Sequence, residues 1–456
     1  MKTWREECGV FAIWNNPEAS RLTYLGLYAL QHRGQESAGI VSLNDGTHLH
    51  HKGQGLVADV FTETDLDRLK GFAAVGHNRY STTGENLLTN AQPLTAQLKD
   101  GPVAVAHNGN IVNAGELRER LKKEGAIFQG SNDTECLLHL LARHNGVDFM
   151  AGLQASVKNL VGAFSFCILT HDKLIAIRDP YGFRPLVMGR IGNSVVFASE
   201  TCAFDLIGAT FVREIEPGEM FWIDKNGEHS VKYADKKISE HARCIFEYVY
   251  FSRPDSVVFN HSVYEVRKQM GRWLARETKV DADIVIPVPD SGVPASIGYA
   301  AESGIPLELG IIRNHYVGRT FIEPRSAIRS FGVKVKLNPQ SAVLAGKRVV
   351  VIDDSIVRGT TSRKIIGLIR QAGAKEIHLR IAAPPTVGPC YYGVDTPTRG
   401  ELIASHMSVP EIQKFVEADS LSYLSLEGLY HAVGESQGFC SACFDNKYPT
   451  PLFGAD

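Results

Sequence analysis

Val349-Val350-Val351-Ile352-Asp353-Asp354-Ser355-Ile356-Val357-Arg358-Gly359-Thr360-Thr361-Ser362 runs from an unbroken apolar stretch through two carboxylates into a loop of small and hydroxylated residues. A continuous β-branched run suits a strand covered on both faces, the usual condition of a parallel sheet. Ile365, Leu368, Ile369 and Ala372 then recur at helical spacing, and Ile377 to Ala382 reads as the next strand. One acidic residue after a buried strand commonly caps the following helix. Two in succession, followed by this loop, suit a sugar phosphate better. Backbone N–H groups at the helix start, with the hydroxyls of Ser355, Thr360 and Thr361, can hold a phosphate, and Gly359 lets the backbone approach it closely. Asp353 and Asp354 can accept hydrogen bonds from ribose hydroxyls and help to hold hydrated Mg²⁺, whose charge neutralises a diphosphate.

The same grammar occurs upstream. Ile284 to Val288 is a continuous apolar strand followed by Pro289-Asp290-Ser291-Gly292 and a helix of small residues, so both loops fall at carboxyl ends of strands, where open α/β sheets bind ligands. Between them Arg313 to Pro339 is polar and basic with weak periodicity, and reads as a mobile lid. Nearer the N-terminus the pattern differs. Ala163 to Thr170, Leu174 to Ile177 and Val195 to Ala198 read as short strands. Met220 to Asp224 runs into a hairpin-type turn at Lys225-Asn226-Gly227, and Leu22, Leu25 and Ala29 recur at helical spacing. This half is expected to be layered α+β. At 456 residues the chain exceeds a single hydrophobic core, and two domains of roughly 200 residues are the default.

A hydrophobic fraction of 44%, a charged fraction of 21% and a net charge of −2 with both signs interspersed describe a globular protein with no footprint for nucleic acid or an acidic membrane. No apolar run approaches the roughly 20 residues that span a bilayer, and Met1 to Glu7 is too short and too polar for a signal peptide. A cytoplasmic enzyme acting on small molecules is the expectation. Eight cysteines are too sparse for a disulfide scaffold, which leaves thiols, metal ligands or a nucleophile.

Cys8 alone would be read as a small buried hydrophobe. Three polar clusters change its meaning: His77-Asn78-Arg79-Tyr80-Ser81-Thr82-Thr83-Gly84, His107-Asn108-Gly109-Asn110 and Ser131-Asn132-Asp133-Thr134-Glu135. Together with Cys8 they resemble the N-terminal-nucleophile glutamine amidotransferases, whose mature chain begins at the catalytic cysteine and whose fold is αββα. A free α-amine with an unperturbed pKa of about 8 can act as general base for the adjacent thiol. The resemblance implies that Arg79 pairs with the substrate carboxylate, Asp133 with its ammonium, and Asn108 with the Gly109 N–H as the oxyanion hole. It also requires removal of residues 1–7 by cleavage at Glu7-Cys8. The opening stretch resembles the phosphoribosyl diphosphate signature of type I phosphoribosyltransferases. That implies diphosphate and ribose contacts from Asp353, Asp354, Ser355, Arg358, Gly359, Thr360 and Thr361, with Ser291 and both aspartates facing Mg²⁺.

Cys440-Ser441-Ala442-Cys443 with the isolated Cys244 and Cys390 offers four thiolates, and the residues themselves permit zinc or an iron–sulfur cluster. Cys136, Cys167 and Cys202 sit in apolar contexts and read as core. Nearly end to end, the chain resembles the glutamine-dependent phosphoribosyl diphosphate amidotransferases. The branch of that family with a propeptide carries a [4Fe-4S] cluster on four cysteines arranged as Cys244, Cys390, Cys440 and Cys443 are here. The resemblance implies domains at 1–7, 8–232, 245–430 and 431–456. It also implies ammonia transfer from glutamine to phosphoribosyl diphosphate at the head of purine biosynthesis, inhibition by purine nucleotides, and a homotetramer. The rivals are another amidotransferase of the same glutaminase class, against which Val349 to Ser362 speaks, and a nucleotide-sensing regulator, in which Cys8, Arg79, Asn108 and Asp133 would have no task.

Overall fold

All six residues of Gly9–Trp14 are buried, because this strand is covered on both faces. It pairs antiparallel with Ala73–Arg79 on one side and Ser194–Ala198 on the other. The sheet so begun has seven strands, in the order Thr210–Glu214, Val187–Ile191, Ser194–Ala198, Gly9–Trp14, Ala73–Arg79, Ser37–Asn44 and Thr47–Gln54. A second sheet of six follows the order Gly227–Lys232, Glu219–Asp224, Leu174–Arg178, Gly162–Leu169, Gly101–Ile111 and Leu94–Leu98. The computed structural model describes residues 8–80, 88–144, 147–234, 236–237, 240–314, 337–394 and 398–453. The expected leader 1–7, the Ser81-Thr82-Thr83-Gly84 part of one cluster and residues 315–336 of the expected lid lie outside them.

The two sheets meet through Val10, Ala12, Val75 and Phe197 on one side and Ala104, Ala106, Cys167 and Phe221 on the other. Helix Ala19–Ala29 covers the outer face of the first sheet. Helices Ala114–Lys123, Glu135–Leu141 and Phe149–Val157 cover the second. The layering is helix, sheet, sheet, helix, as expected for αββα. The helix read from Leu22, Leu25 and Ala29 is present as Ala19–Ala29; it buries Ala19, Thr23, Gly26, Leu27 and Ala29, while Leu22 and Leu25 are half-buried. A Cβ on Gly26 would lie 2.3 Å from the Phe11 ring, so the helix can approach the sheet this closely only at a glycine.

The second half is built on four parallel strands in the order Ile284–Pro287, Arg348–Asp353, Glu376–Ile381 and Ser420–Tyr423. Val349, Val351, Ile377 and Ile381 pack against helix Thr360–Gln371 in one core cluster, and Val285, Val350 and Ile352 face helices Val263–Glu277 and Val293–Ser303 in another. The last two cross at glycines. A Cβ on Gly271 would stand 1.8 Å from the Ala295 carbonyl oxygen, and one on Gly298 would stand 1.9 Å from that of Lys268. Gly298→Leu is therefore expected to cost about 3 kcal/mol or more by overpacking, and a thermal midpoint unchanged from the parent would contradict the close crossing.

Ile311–Arg313 pairs antiparallel with Leu337–Pro339, so the two described ends of the polar segment form a short ribbon. The boundary expected at 430 falls inside helix Leu426–Val433, which buries Leu429, Ala432 and Val433. Beyond it Phe439–Cys440 pairs with Arg243–Cys244, so the C-terminal segment closes back on the junction between the halves. Among the described residues no helix is long and apolar enough to cross a membrane.

Candidate active site

Asp353 ends the strand Arg348–Asp353, and the next strand over, Ile284–Pro287, ends beside it because the two run parallel in register. The loops after these strands touch. Val288 N–H donates to the Ile352 carbonyl at 2.8 Å, and a Cβ on Gly292 would lie 2.5 Å from the same oxygen. This brings the Ser291 hydroxyl onto the Asp354 carboxylate, joined there by the Ser355 hydroxyl, while Asp354 N–H donates to Asp353 at 3.0 Å. Both carboxyls are buried. Burial and the charge of Asp354 push Asp353 well above the usual carboxylate range. Burial likewise raises Asp354, although Ser291, Ser355 and Arg267 pull the other way. Two adjacent buried acids cannot both ionise cheaply without a cation or hydroxyl donors, which is the condition a metal-bound sugar diphosphate relieves.

Gly359 takes φ +71° and caps helix Thr360–Gln371, and a Cβ there would meet Ile403 at 2.9 Å. The first N–H groups of any helix lack partners within the helix, which is what a phosphate cradle uses. Ile356 and Val357 are buried and anchor the loop between its polar ends. Arg358 pairs with Glu401 at 2.7 Å, on the rim rather than against the acid pair.

In the first half, Cys8 is buried at the start of its strand, and its Sγ–H donates to the Tyr80 carbonyl at 3.5 Å. The register Gly9↔Asn78 sets Cys8 opposite Arg79, which is buried at the end of its own strand. Asn108 reaches across from the second sheet and donates Nδ2 to the Ser199 hydroxyl at 3.4 Å; the same hydroxyl accepts from Val10 N–H at 3.0 Å. Gly109 takes φ +146°, with the Ala163 carbonyl 2.1 Å from where a Cβ would stand, so only glycine fits beside Asn108. Asp133 accepts from the N–H of Ile111 at 2.8 Å and of Thr134 at 2.8 Å. Burial alone would raise its carboxyl, but the His107 ring at 3.7 Å and these N–H bonds hold it below the ordinary range. An anionic Asp133 can therefore meet an ammonium.

His77 bridges the sheets by a 2.9 Å bond to the His107 carbonyl, and burial lowers its pKa to about 3. Since the unfolded ring titrates near 6.5, the unfolded chain takes up a proton between pH 6.5 and 3 that the folded one refuses. The stability this neutral ring contributes is complete above pH 6.5 and is lost on acidification, at up to about 1.4 kcal/mol per pH unit. His77→Gln is expected to flatten the fall in melting temperature between pH 6.5 and 5, and an unchanged slope would contradict the assignment.

Cys244, Cys390, Cys440 and Cys443 line one cavity with Phe183, Phe246, Tyr392 and Ala442. Cys244 and Cys440 are register partners, and Val387 N–H binds the Cys443 carbonyl at 2.8 Å. Burial pushes the Cys440 thiol up to about 12 and the Cys443 thiol well above its ordinary value, the neighbouring cysteines adding to the shift. Thiolates here need positive charge beside them, and the donor set is soft sulfur in an apolar pocket. Among the described residues no three His, Cys, Asp or Glu side chains stand close enough to hold a single metal ion. Cys136, Cys167 and Cys202 are buried elsewhere in the core, as expected.

Reading the sequence alone quoted His107 and Thr134 without giving them a part, and missed Ser199, which holds Asn108, and the buried charges Arg33, Arg184, Glu200, Glu247 and Arg267. Hydrophobic periodicity marks apolar positions, and nothing local to an arginine reports that a carboxylate far along the chain will cover it.

The glutamine amidotransferase domain family matches residues 77–205, and the phosphoribosyl transferase domain family matches residues 262–391. The chain is 56% identical over 448 residues to amidophosphoribosyltransferase 1, chloroplastic, of Arabidopsis thaliana, covering 98% of this chain and 79% of that one. It is 49% identical over 459 residues to amidophosphoribosyltransferase of Bacillus subtilis, covering 99% and 96%. The solved glutamine phosphoribosylpyrophosphate amidotransferase from B. subtilis, complexed with ADP and GMP, matches with a TM-score of 0.93 at 49% identity over 98% of each chain.

Proposed function

This chain belongs to the amidophosphoribosyltransferase family, and from that premise we infer how its own residues divide the work. The enzyme transfers the amide nitrogen of glutamine to 5-phospho-α-D-ribose 1-diphosphate, giving 5-phosphoribosylamine, glutamate and diphosphate at the first step of purine biosynthesis. The observation that carries the division is that one chain holds both a buried Cys8 facing Arg79 and a buried acid pair with Ser291 at the carboxyl ends of neighbouring parallel strands.

Cys8, freed at its amine by loss of residues 1–7, attacks the glutamine carboxamide; its α-amine takes the thiol proton and returns it to the leaving ammonia. Asn108 has a second Nδ2 hydrogen beyond its bond to Ser199, and with the Gly109 N–H it receives the oxyanion. Arg79 and Asp133 hold the two ends of the amino acid. Water then releases glutamate from the thioester. In the second half, Asp353 and Asp354 bind the ribose hydroxyls, and Ser355, Thr360, Thr361 and the N–H groups after Gly359 hold phosphate, with Arg358 at the rim. Ser291, Asp353 and Asp354 would hold Mg²⁺, which supplies charge to neutralise the departing diphosphate. Ammonia attacks C1 as that bond breaks.

The shared cavity, lined by four cysteine sulfurs and aromatic side chains, supports the family's [4Fe-4S] cluster on Cys244, Cys390, Cys440 and Cys443 as the reading to test against zinc. Bound there, it would tie the C-terminal segment to the domain junction. Anaerobically purified protein is expected to be brown, with iron and sulfide and no stoichiometric zinc; the opposite metal content would refute the cluster. Loss of residues 1–7 is checked by the mass of the active chain. The B. subtilis complex with ADP and GMP supports purine nucleotides as inhibitors here, and the family reading extends to a cytoplasmic homotetramer.

One assay tests the reaction. Glutaminase turnover is expected to rise on adding phosphoribosyl diphosphate, with phosphoribosylamine formed in step. Turnover indifferent to that substrate, with no amine product, would refute the reading.

A further inference from the structure

Arg33 lies in Gln31-His32-Arg33-Gly34 after the first helix, and its side chain is fully buried. Its Nε donates to the backbone carbonyl of Cys8 at 3.3 Å. Its two terminal nitrogens donate to Glu247 at 2.7 and 3.1 Å, and one of them also meets Glu200. Glu247 opens a single π-helical turn, Glu247–Phe251, immediately after the junction between the halves. It also receives Arg184 at 3.3 Å and the Ser252 hydroxyl. From the opposite side Arg267, on the helix Val263–Glu277, donates to the Tyr248 carbonyl at 2.6 Å and the Ser252 carbonyl at 2.9 Å. Arg267 stands near enough to Asp354 that the two charges act on each other. Hydrogen bonds thus run from the backbone of Cys8 through Arg33 and Glu247 to the turn that Arg267 holds, and from Arg267 the link to the phosphoribosyl acid pair is through charge.

Stability alone is a poor reason for such a cluster. Desolvating three arginines and two glutamates costs so much that apolar replacements of similar volume commonly do as well or better. What the arrangement offers is alternative pairing. Arg33 is shared between Glu200 and Glu247, Glu247 between Arg33 and Arg184, and the turn carrying Glu247 is gripped from the other domain. A small shift of that turn therefore changes which partner holds Arg33, and with it the carbonyl of the nucleophilic residue.

We propose that the Arg33–Glu247 pair couples the two sites: Glu247 is a positioning residue through which an occupied phosphoribosyl site sets Arg33, and Arg33 sets Cys8, for glutamine hydrolysis. The proposal rests on the assignment of Cys8 and of Asp353 and Asp354 given above. Glu247→Gln keeps the shape and removes the charge. In the processed holoenzyme, stimulation of glutaminase kcat/KM by phosphoribosyl diphosphate, of the order of 5- to 150-fold for a typical coupling, is expected to fall to within about twofold of none, while amination with added ammonia stays within about twofold of the parent. Full stimulation in Glu247→Gln, or an equal loss of both activities, would overturn it. If that variant does not fold, Ser252→Ala and Glu247→Asp decide: each is expected to show diminished stimulation, and undiminished stimulation in both overturns the proposal. A parent enzyme that shows no stimulation would fault the functional reading itself, which separates the two failures.

Discussion

Cys8→Ala is expected to lower glutamine-dependent formation of phosphoribosylamine by at least about 10³-fold while leaving the rate with added ammonia within about twofold of the parent. The nucleophile is lost outright, and no other thiol can replace it: Cys136, Cys167 and Cys202 are buried in the core. The Cys8 sulfur donates to the Tyr80 carbonyl at 3.5 Å, a weak kind of bond that alanine gives up at small cost. The phosphoribosyl acids belong to a different sheet, so ammonia supplied from solution still finds its acceptor. Initial rates with glutamine and with an ammonium salt at alkaline pH make the comparison. A parallel fall in both would mean that Cys8 is structural, and a retained glutamine rate would remove it from the chemistry.

Asp354→Asn is expected to do two opposite things: reduce phosphoribosyl transfer by about 10²-fold or more, and raise the stability of the ligand-free protein by about 1–2 kcal/mol at pH 8. The sign follows from the raised carboxyls. A group whose folded pKa lies above its unfolded value contributes stability that is present below the unfolded pKa, near 3.8, and is lost as pH rises through the folded one. At pH 8 the folded chain therefore carries the strain of two buried, adjacent acids. Asparagine keeps the shape and can accept the Ser355 hydroxyl, yet it removes one charge and with it the repulsion that lifts Asp353. Melting curves at pH 4 and pH 8, in chelator, should show the variant gaining on the parent as pH rises. A variant that melts earlier at pH 8 would mean the pair is stabilising, and the site's cost would have to be sought elsewhere.

The sequence by itself determined the parts whose causes are local. Val349 to Ile352 reads as a buried parallel strand because every residue is β-branched, and Asp353, Asp354, Gly359 and Thr360 follow in order at the turn into the next helix. The glycine at 109 and the acid at 133 were legible once the three polar clusters were taken with Cys8. The short strands of the first half were likewise readable, and they lie close to where the pattern set them, as in Leu174–Arg178 and Ser194–Ala198.

Only the tertiary structure decided which groups meet. That helix Ala19–Ala29 comes down on Gly26 and Leu27 while Leu22 and Leu25 stay half-buried depends on where the Phe11 ring lies. That Cys440 lies directly beside Cys244 depends on a two-residue ladder joining segments almost 200 positions apart in sequence. Arg33 and Glu247 are separated by 214 positions, and neither carries a local sign of burial. The physical reason is the same in each case. Periodicity, turns and caps are set by neighbours in the chain. A buried charge or a close backbone approach depends on a partner that only the finished fold brings near.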